Sequence, residues 1–405
     1  MSVQGIQPLR VLILLNRMPY PLNDGGAIGA YNFVKGYAEA GCELTILGMN
    51  TAKHFVKKEV LVKEFSRFGK LKTVYVDNRI KPVQAFLNLF TKESYIVKRF
   101  ISEEFKKQLR RVLKDNHFDI VHIDGLPPAA YIDTVRKYSG AKISMRAHNV
   151  EHVIWERIAF KELNSLKKKY VTLQAERLKQ FEIEAIKKCD VIMAISKEDE
   201  DTIKKYAPGA NTIIVPAGMD VSETVENENY KSNDLFFIGS FDWMPNLQGM
   251  QWFITECWSK ITSTFTNARL HIAGKKMPDS IKKVQLPNLL PLGEVRDAKE
   301  FMLQHGLMVV PIVSGSGIRI KILEGMALGK CIIATSIAAE GLNLTDGENI
   351  LIADNAEQFV QQLTKCSADE NFCRTIGEKA HKFTYENYRN KSIFERLVSY
   401  YRSML

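Results

Sequence analysis

Long hydrophobic runs, an export signal and paired cysteines are all missing from this 405-residue sequence. No apolar stretch reaches the ~18 residues that a membrane-spanning helix needs. Residues 1–9 have neither the charged start nor the apolar middle of a signal peptide, so we expect a cytoplasmic protein. The six cysteines are scattered without a Cys-x-x-Cys pair, which favours reduced thiols over a disulfide framework or a zinc site.

Positive charge is concentrated in one segment. The chain has 56 Lys and Arg against 46 Asp and Glu, and residues 51–114 alone hold 17 against 6. Apolar side chains are interspersed among these bases, which fits either solvated helix faces or contact with anionic lipid head groups. Both interpretations stay open here. No nucleic-acid recognition motif accompanies the charge, so a nucleic-acid partner is not expected.

Short β-rich runs alternate with helical stretches along the whole chain, which predicts an α/β fold with parallel sheets. A polar stretch over residues 216–233 separates two such series, so we expect one domain over 1–215 and a second over 216–389. The predicted strands are 10–15, 43–48, 120–123, 142–145, 191–195 and 212–215 in the first series, and 235–238, 269–273, 289–292, 306–311, 331–334 and 350–352 in the second.

The turn after the first predicted strand contains Gly25 and Gly26 and opens a helix predicted over about 27–40. Its spacing does not match G-x-G-x-x-G, and the second predicted strand lacks an acid at its end to hold a ribose, so no nicotinamide or flavin cofactor is expected. Two glycines still allow a ligand close to the backbone, and a helix amino end offers N–H groups to an anion. A flexible surface turn is the alternative.

The run from residue 314 to residue 330 carries the strongest chemical signal. A predicted buried strand leads into Ser314-Gly315-Ser316-Gly317, which would present backbone N–H groups at the start of a helix predicted from about Ile318 to Leu328.

Three charged residues follow in that helix. Arg319 and Lys321 place two cations in its first turn, where the helix dipole disfavours them. A bound anion such as a diphosphate would account for this placement. Glu324 lies one turn further and can accept hydrogen bonds from two ribose hydroxyls. A surface helix with a Lys321–Glu324 ion pair is the alternative.

This run resembles the donor-binding region of family 4 glycosyltransferases of the GT-B fold. One branch of that family reads G-x-G-x-R-x-K-x-x-E-A-M-x-x-G-K, and Gly325 replaces the usual alanine. The other positions are matched by Gly315, Gly317, Arg319, Lys321, Glu324, Met326, Gly329 and Lys330. The runs 148–151, 215–220, 239–246 and 335–349 also fit the family.

The resemblance implies two Rossmann-like domains that face a central cleft, with a helix over about 390–405 crossing back to the N-terminal domain. Residues 1–215 would bind the acceptor and residues 216–389 the nucleoside-diphosphate sugar. The implied reaction transfers the sugar, with retention of configuration, to a saccharide or glycolipid acceptor in cell-envelope polysaccharide or glycolipid synthesis. It needs no metal and no cofactor besides the sugar nucleotide. Attachment of segment 51–114 to the inner face of the plasma membrane is part of this expectation.

The resemblance also assigns site residues. His148 follows a predicted strand and would hydrogen-bond the donor sugar or the acceptor region, although a lone histidine is more often structural. Arg319 and Lys321 would stabilise the leaving diphosphate. The donor-binding residues are Gly25, Gly26, Gly239, Ser240, Ser314, Gly315, Ser316, Gly317, Ile318 and Glu324.

The sequence departs from the family at two places. Ser316 stands where the family often has an acid that holds the donor sugar. The Arg and Lys that commonly follow the first C-domain strand are missing after Gly239, so Arg319 and Lys321 are expected to take over neutralisation of the diphosphate.

Other patterns receive structural interpretations. Asp199 and Asp201 form an Asp-x-Asp string, but Ser196 predicts a helix cap with these acids in the first turn, so no metal site is expected. His122 and His271 fall inside predicted strands and are expected in the core. The alternatives for function are a sugar-nucleotide epimerase or phosphorylase-like enzyme of the same fold, and a non-catalytic protein that binds sugar nucleotides or lipid surfaces.

Overall fold

A computed structural model describes residues 7–22, 25–216, 218–315 and 318–405. The chain divides into two compact units, one formed by residues 1–219 with 390–405 and the other by residues 220–389. Each unit contains one parallel sheet covered by helices, which confirms the predicted α/β fold with two sheets.

The first unit has seven strands: β1 (Arg10–Leu15), β2 (Glu43–Thr51), β3 (Gly69–Val76), β4 (Ile120–Asp124), β5 (Lys142–Ala147), β6 (Val191–Ala194) and β7 (Thr212–Ile214). Their order across the sheet is β3-β2-β1-β4-β5-β6-β7, and every neighbouring pair is parallel. The central strands β1 and β4 are buried almost throughout because helices cover both faces of the sheet.

The edge strand β3 was missed by the sequence analysis. Its residues, GKLKTVYV, alternate lysine and threonine with apolar side chains, and most of them are partly exposed. The strand lies inside the basic segment 51–114, so part of that charge lines a sheet edge.

The helices of the first unit comprise α1 (Gly25–Glu39), α2 (Lys58–Phe65), α3 (Pro82–Asn88), α4 (Tyr95–Lys98), α5 (Glu103–Asp115), α6 (Ile132–Tyr138), α7 (Glu151–Lys161), α8 (Ser165–Lys188) and α9 (Lys197–Tyr206), with 3₁₀ turns at Ala52–His54 and Pro127–Tyr131. Ser196 caps α9 as predicted, because its side chain accepts a hydrogen bond from the backbone N–H of Asp199. The acids of the Asp-x-Asp string therefore begin a helix.

The second unit contains β8 (Asp234–Ile238), β9 (Arg269–Ala273), β10 (Leu289–Gly293), β11 (Leu307–Val310), β12 (Ile332–Ala334) and β13 (Leu351–Ile352). Their order is β10-β9-β8-β11-β12-β13, again all parallel. Its helices comprise α10 (Met244–Trp252), continued by a π-helical turn at Phe253–Cys257, then α11 (Trp258–Thr264), α12 (Asp279–Lys282), α13 (Ala298–Gln304), α14 (Ile320–Ala327), α15 (Ser336–Ala339), α16 (Ala356–Ala368) and α17 (Glu370–Tyr388).

The last helix, α18 (Asn390–Met404), belongs to the first unit, which confirms the expected return of the chain to the N-terminal domain. Phe394 is fully buried and packs edge-on against Phe33 and Tyr37 of α1, with ring centroids 4.9 and 4.8 Å apart. Gly36 allows this approach, because a Cβ there would lie 2.2 Å from the Phe394 ring. The helix therefore completes one face of the first core.

Within the described residues, no helix combines the length and the apolar character needed to cross a bilayer.

The packing of α18 generates a stability prediction. Phe394→Ala should lower the free energy of unfolding by about 3–5 kcal/mol, because it leaves a cavity among aromatic rings. Urea unfolding followed by circular dichroism measures this change. Phe86→Ala is the matched control: its ring is 60% exposed, and we expect a change below about 0.5 kcal/mol. Equal effects of the two substitutions would contradict the assigned role of α18.

Candidate donor site and strand-end charge network

Two loops of the second unit interlock at the carboxyl ends of neighbouring strands. The first loop, residues 239–243, follows β8 and leads into α10, and the second follows β11 and is described at residues 311–315 and 318–319. Because β8 and β11 are adjacent and parallel, both loops emerge at the same edge of the sheet. Pro245 lies against Gly315, whose φ of +98° is a conformation that favours glycine. This edge collects most of the predicted donor-binding residues.

Lys321 is the cation at the centre of these loops. Its Nζ donates a 2.6 Å hydrogen bond to Oδ1 of Asn246 and lies 4.3 Å from the centre of the Phe237 ring. A Cβ on Gly239 would lie 2.3 Å from the same Nζ, so the glycine leaves room for the ammonium. Asn246 is buried and donates in turn to the carbonyl of Ser240 at 2.7 Å. The side-chain amide of Asn246 thus holds both the ammonium of Lys321 and the backbone of the loop at Ser240.

Burial changes the protonation of Lys321. Desolvation lowers its pKa to about 7, although Glu324 acts to raise it, and Arg319 lowers it further. The group is therefore close to half-protonated at neutral pH. A nearby anion favours the charged form, so the arrival of a phosphate would draw a proton onto Nζ.

Arg319 occupies the N-cap position of α14, which begins at Ile320, two residues later than the sequence predicts. The difference arises because Arg319 is not helical, with φ −87° and ψ 87°. Its side chain is buried, and the guanidinium carbon lies 5.2 Å from the centre of the Trp243 ring. Burial lowers the pKa of Arg319, while Glu340 raises it.

The remaining donor-binding predictions lie around these two cations. Ser240 donates a hydrogen bond to Asp242, and Ser314 donates one of 2.7 Å to Gln248 of α10. Ile318 is half-buried, and Glu324 is exposed one turn along α14 from Lys321. Ser316 and Gly317 lie outside the described residues.

The other predicted residues belong to the first unit. Gly25 and Gly26 form the first turn of α1, which starts two residues earlier than predicted. One turn on, a Cβ on Gly29 would lie 3.0 Å from Nη2 of Arg146, which is near the end of β5. The amino end of α1 therefore lies beside the carboxyl ends of β4 and β5.

His148 is held there by a buried carboxylate. Oδ1 of Asp124, the last residue of β4, accepts hydrogen bonds from Nε2 of His148 at 2.9 Å and from Nη1 of Arg146 at 3.1 Å. Asp124 is 1% exposed and the His148 side chain 23% exposed, so the carboxylate lies beneath the imidazole. This bond places a proton on Nε2 and leaves Nδ1 of His148 as an acceptor.

Asp124 remains ionised in this setting. Burial by itself raises its pKa, but the neighbouring His148 and Arg146 outweigh it and hold the pKa well below the usual range. Arg146 is stacked on Phe33, with its guanidinium carbon 3.9 Å from the ring centre. The carboxylate is thus a fixed negative charge under His148.

A chain of buried hydroxyls extends this network to α18. His122 is fully buried, as predicted, and its Nδ1 shares a 3.1 Å hydrogen bond with the hydroxyl of Tyr37. That hydroxyl lies 2.9 Å from the hydroxyl of Tyr401, which donates to Ser144 on β5 at 2.8 Å. The last helix is therefore connected to the strand ends that carry His148.

Asp124, Arg146, Trp243 and Asn246 were not among the predicted site residues. Asp124 and Arg146 each stand singly near the end of an apolar strand, and their pairing depends on strand order. Trp243 and Asn246 lie in the run 239–246 that carries part of the family resemblance, so the sequence singled out this run without assigning either residue.

Residues able to hold a metal ion lie elsewhere. Within the described parts of the chain, two clusters bring three such ligands together. Their members are Cys331, Cys366 and Cys373, and Asp234, His271 and His305. Neither cluster includes a residue of the two interlocking loops.

Comparison with known proteins agrees with this architecture. Residues 23–223 match the family described as Glycosyltransferase Family 4, and residues 232–369 match Glycosyl transferases group 1. An uncharacterized 44.6 kDa protein in the cps region of Klebsiella pneumoniae is 21% identical over 96% of this chain and 98% of its own length.

Solved structures of low identity share the fold. Sucrose-phosphate synthase from Thermosynechococcus elongatus superposes with a TM-score of 0.64 at 13% identity, covering 98% of this chain and 99% of that one. HepE from Anabaena in complex with UDP superposes with a TM-score of 0.60 at 10% identity, covering 98% of this chain and 100% of that one. A glycosyltransferase from Rickettsia africae superposes with a TM-score of 0.62 at 15% identity, covering 98% of this chain and 99% of that one. Together with the two family matches, which span most of the sequence, these likenesses show that the chain belongs to the family 4-like glycosyltransferases of the GT-B fold.

Proposed function

We propose that this glycosyltransferase takes a sugar from a nucleoside-diphosphate sugar and transfers it, with retention of configuration, to a saccharide or lipid-linked acceptor during synthesis of a cell-envelope polysaccharide. The relative in a cps region supports the polysaccharide assignment. The UDP complex of a structural neighbour supports a nucleotide sugar as donor, with UDP as the first probe.

The observation that carries this proposal is the environment of Lys321. An ammonium next to an aromatic ring, with its pKa lowered to about 7, is a poor structural choice unless an anion completes the site. The glycine at 239 leaves space beside Nζ, and the amino end of α14 adds partial positive charge there. A diphosphate supplies the missing negative charge.

In the proposed reaction the charge that develops on the leaving diphosphate is stabilised by this chain's own groups. Lys321 becomes fully protonated as the diphosphate binds, and Arg319 adds a permanent charge at the N-cap of the same helix. Backbone N–H groups of the loop after β11 complete the cradle, and Glu324 accepts the ribose hydroxyls. With these cations in place, the transfer is proposed to need neither a metal nor another cofactor.

His148 is proposed to contact the transferred sugar or the acceptor. Its Nδ1 can accept a hydrogen bond from a sugar hydroxyl, because Asp124 holds the proton on Nε2. Asp124 is then a positioning residue that acts through the imidazole. Gly25 and Gly26, at the amino end of α1, are proposed to let a ligand approach the backbone.

We also propose that α3 and the turn after it attach the enzyme to an anionic membrane surface. Asn88 anchors this helix, because its Oδ1 accepts a 2.9 Å hydrogen bond from Gln174 of α8. The outer side of α3 and of the turn after it is apolar and exposed. It carries Val83 (71% exposed), Phe86 (60%), Leu87 (58%) and Phe90 (79%). Arg79 and Lys81 share the carboxylate of Asp77, which leaves an excess of positive charge beside the helix, and Lys98 pairs with Glu93.

Incubation with a panel of nucleoside-diphosphate sugars tests the reaction. We expect release of nucleoside diphosphate from at least one donor, with acceleration by a saccharide or lipid-linked acceptor and transfer of the sugar to it. Lys321→Met should abolish turnover, whereas Lys283→Met, at an exposed lysine of the same unit, should leave it unchanged. A sugar altered at C4 without transfer would instead identify an epimerase, and binding without turnover would identify a non-catalytic protein.

The protonation of Lys321 gives this test a pH signature. Because the pKa of Lys321 in the free enzyme is about 7, UDP binding above pH 7 requires uptake of a proton by this side chain. Affinity should fall by up to about tenfold per pH unit as the pH rises above 7, until it reaches the raised pKa of the complex. Calorimetry in buffers of different ionisation heat should detect the proton in the wild type and not in Lys321→Met. A flat pH profile in the wild type would refute the assignment.

A double-mutant cycle tests the pairing of Asp124 with His148. Asp124→Asn and His148→Ala should each lower kcat by about 100-fold, because the imidazole is misplaced or absent. The double variant should be no worse than His148→Ala, since Asp124 acts through that side chain. Affinity for UDP should be unchanged. Asp124→Asn also leaves Arg146 without its partner, so kcat is measured well below the melting temperature of each variant. Additive losses would contradict a positioning role.

Sedimentation with vesicles tests the α3 surface. The double substitution Phe86→Ser with Phe90→Ser should weaken binding to phosphatidylglycerol vesicles by more than tenfold, since burying each ring contributes about 2 kcal/mol. Binding of the wild type should fall with added salt and be weaker to phosphatidylcholine. Leu292→Ser, at a residue of the second unit that is 51% exposed, is the control. Undiminished binding of the double variant would remove α3 from the membrane contact.

A further inference from the structure

Three potential metal ligands lie at the amino ends of strands in the second unit. Asp234 is the first residue of β8, His271 lies within β9, and His305 directly precedes the connection into β11. The parallel register aligns Phe236 with His271, so Asp234 and His271 project from the same face of the sheet. Gly239 and Lys321 lie at the other end of these strands. The three residues therefore form a place separate from the proposed donor site.

The side-chain atoms of these residues converge on one carboxylate. Nε2 of His271 lies 3.0 Å from Oδ1 of Asp234, and Nδ1 of His305 lies 3.4 Å from each oxygen of that carboxylate. The ligand atoms of all three residues lie within 4.8 Å of one another. The two imidazoles are stacked with centroids 4.0 Å apart, and each has a nitrogen within 3.4 Å of the Asp234 carboxylate.

These separations match the requirements of a tetrahedral ion. Zinc lies about 2.0–2.2 Å from nitrogen and oxygen ligands, so two ligands of one tetrahedron are about 3.3–3.5 Å apart. Two histidines and one carboxylate also form a donor set that borderline divalent ions accept. A small rearrangement of the rings about the carboxylate would admit the ion at the centre of the cluster.

The surroundings suit such an ion. The side chains of His271 and His305 are each 14% exposed and that of Asp234 is 22% exposed, so the ion has a route from solvent. Phe301 packs edge-on against His305 on the protein side. Asn229 lies 3.5 Å from Oδ2 of Asp234 and donates to the carbonyl of Gln304, which restrains the carboxylate.

Two charged side chains lie at the cluster: the carboxylate of Asp234 and the buried ammonium of Lys330. Burial raises the pKa of Asp234, but hydrogen bonds from His271 and His305 outweigh this effect and hold it well below the usual range. Lys330 is fully buried and donates to the carbonyl of His305 at 2.5 Å. Burial lowers the pKa of Lys330 to about 8, and Asp234 acts to raise it.

We propose that Asp234, His271 and His305 bind a divalent transition-metal ion, with Zn²⁺ as the best match and water as the fourth ligand. Binding requires both imidazoles to be neutral, with the proton of His271 on Nδ1 and that of His305 on Nε2. The ion joins β8, β9 and the connection between α13 and β11. Its role is to stabilise the second unit, and glycosyl transfer does not require it.

Equilibrium dialysis of the full chain against Zn²⁺, followed by metal analysis, tests the stoichiometry. We expect one Zn²⁺ per chain at neutral pH. The melting temperature of the wild type should rise with Zn²⁺. Asp234→Asn, His271→Gln and His305→Gln should each weaken binding on the order of 100-fold and lose the thermal shift. His117→Gln is the matched control, because His117 pairs with Asp119 at 3.7 Å on the surface of the first unit.

Substitution of Co²⁺ for Zn²⁺ identifies the ligands in the unmodified chain, so the test does not depend on variants that fold. Tetrahedral Co²⁺ bound by nitrogen and oxygen gives visible bands without a thiolate charge-transfer band. The second cluster, Cys331, Cys366 and Cys373, is wholly buried and would give that band if it were the site. Absence of stoichiometric binding, a thiolate band, or undiminished binding in the His271 and His305 variants would each overturn the proposal.

Discussion

The chemistry of the second unit depends on keeping one ammonium partly out of water. Lys321 is held by Asn246 and the ring of Phe237, and the backbone of Gly239 passes directly beside its Nζ. Desolvation makes the charged state costly in the empty protein, and an anion at the same place makes it favourable. A loop and a helix that are distant in sequence are thus organised around a charge that an anionic ligand would complete.

The first unit also carries buried charges at the carboxyl ends of its strands, but these charges are paired with each other. Asp124 and Arg146 are charged, almost fully buried and paired, so they need no ligand to remain ionised. Their pairing fixes the orientation of His148 at the surface. In the second unit an anionic ligand would complete the cations of the candidate site, and in the first unit a buried ion pair supports the side chain of His148.

Uninterrupted apolar runs correctly predicted strands such as β1 and β11, because both faces of these strands are covered. Cations at the start of a helix singled out Arg319 and Lys321, whose role in binding a donor stays a prediction. Sequence reasoning missed residues whose role depends on contacts that form only on folding. Asp124 resembles any acid at a strand end until strand order brings Arg146 beside it, and β3 reads as a polar segment because it lies at a sheet edge. The start of α14 was misplaced because Arg319 caps the helix without joining it.

The position of α18 has a consequence for how this chain folds during its synthesis. Phe394, Leu397 and Tyr401 form part of the first unit's core, yet the ribosome makes them only after the whole of residues 220–389. The second unit can therefore reach its native state while the first still exposes the apolar side of α1 that α18 covers. Protein folding on the ribosome usually proceeds from the amino end, but here the earliest-made unit must be the last to finish. Until α18 has been synthesised, the apolar side of α1 stays exposed on the nascent chain, where a chaperone can bind it.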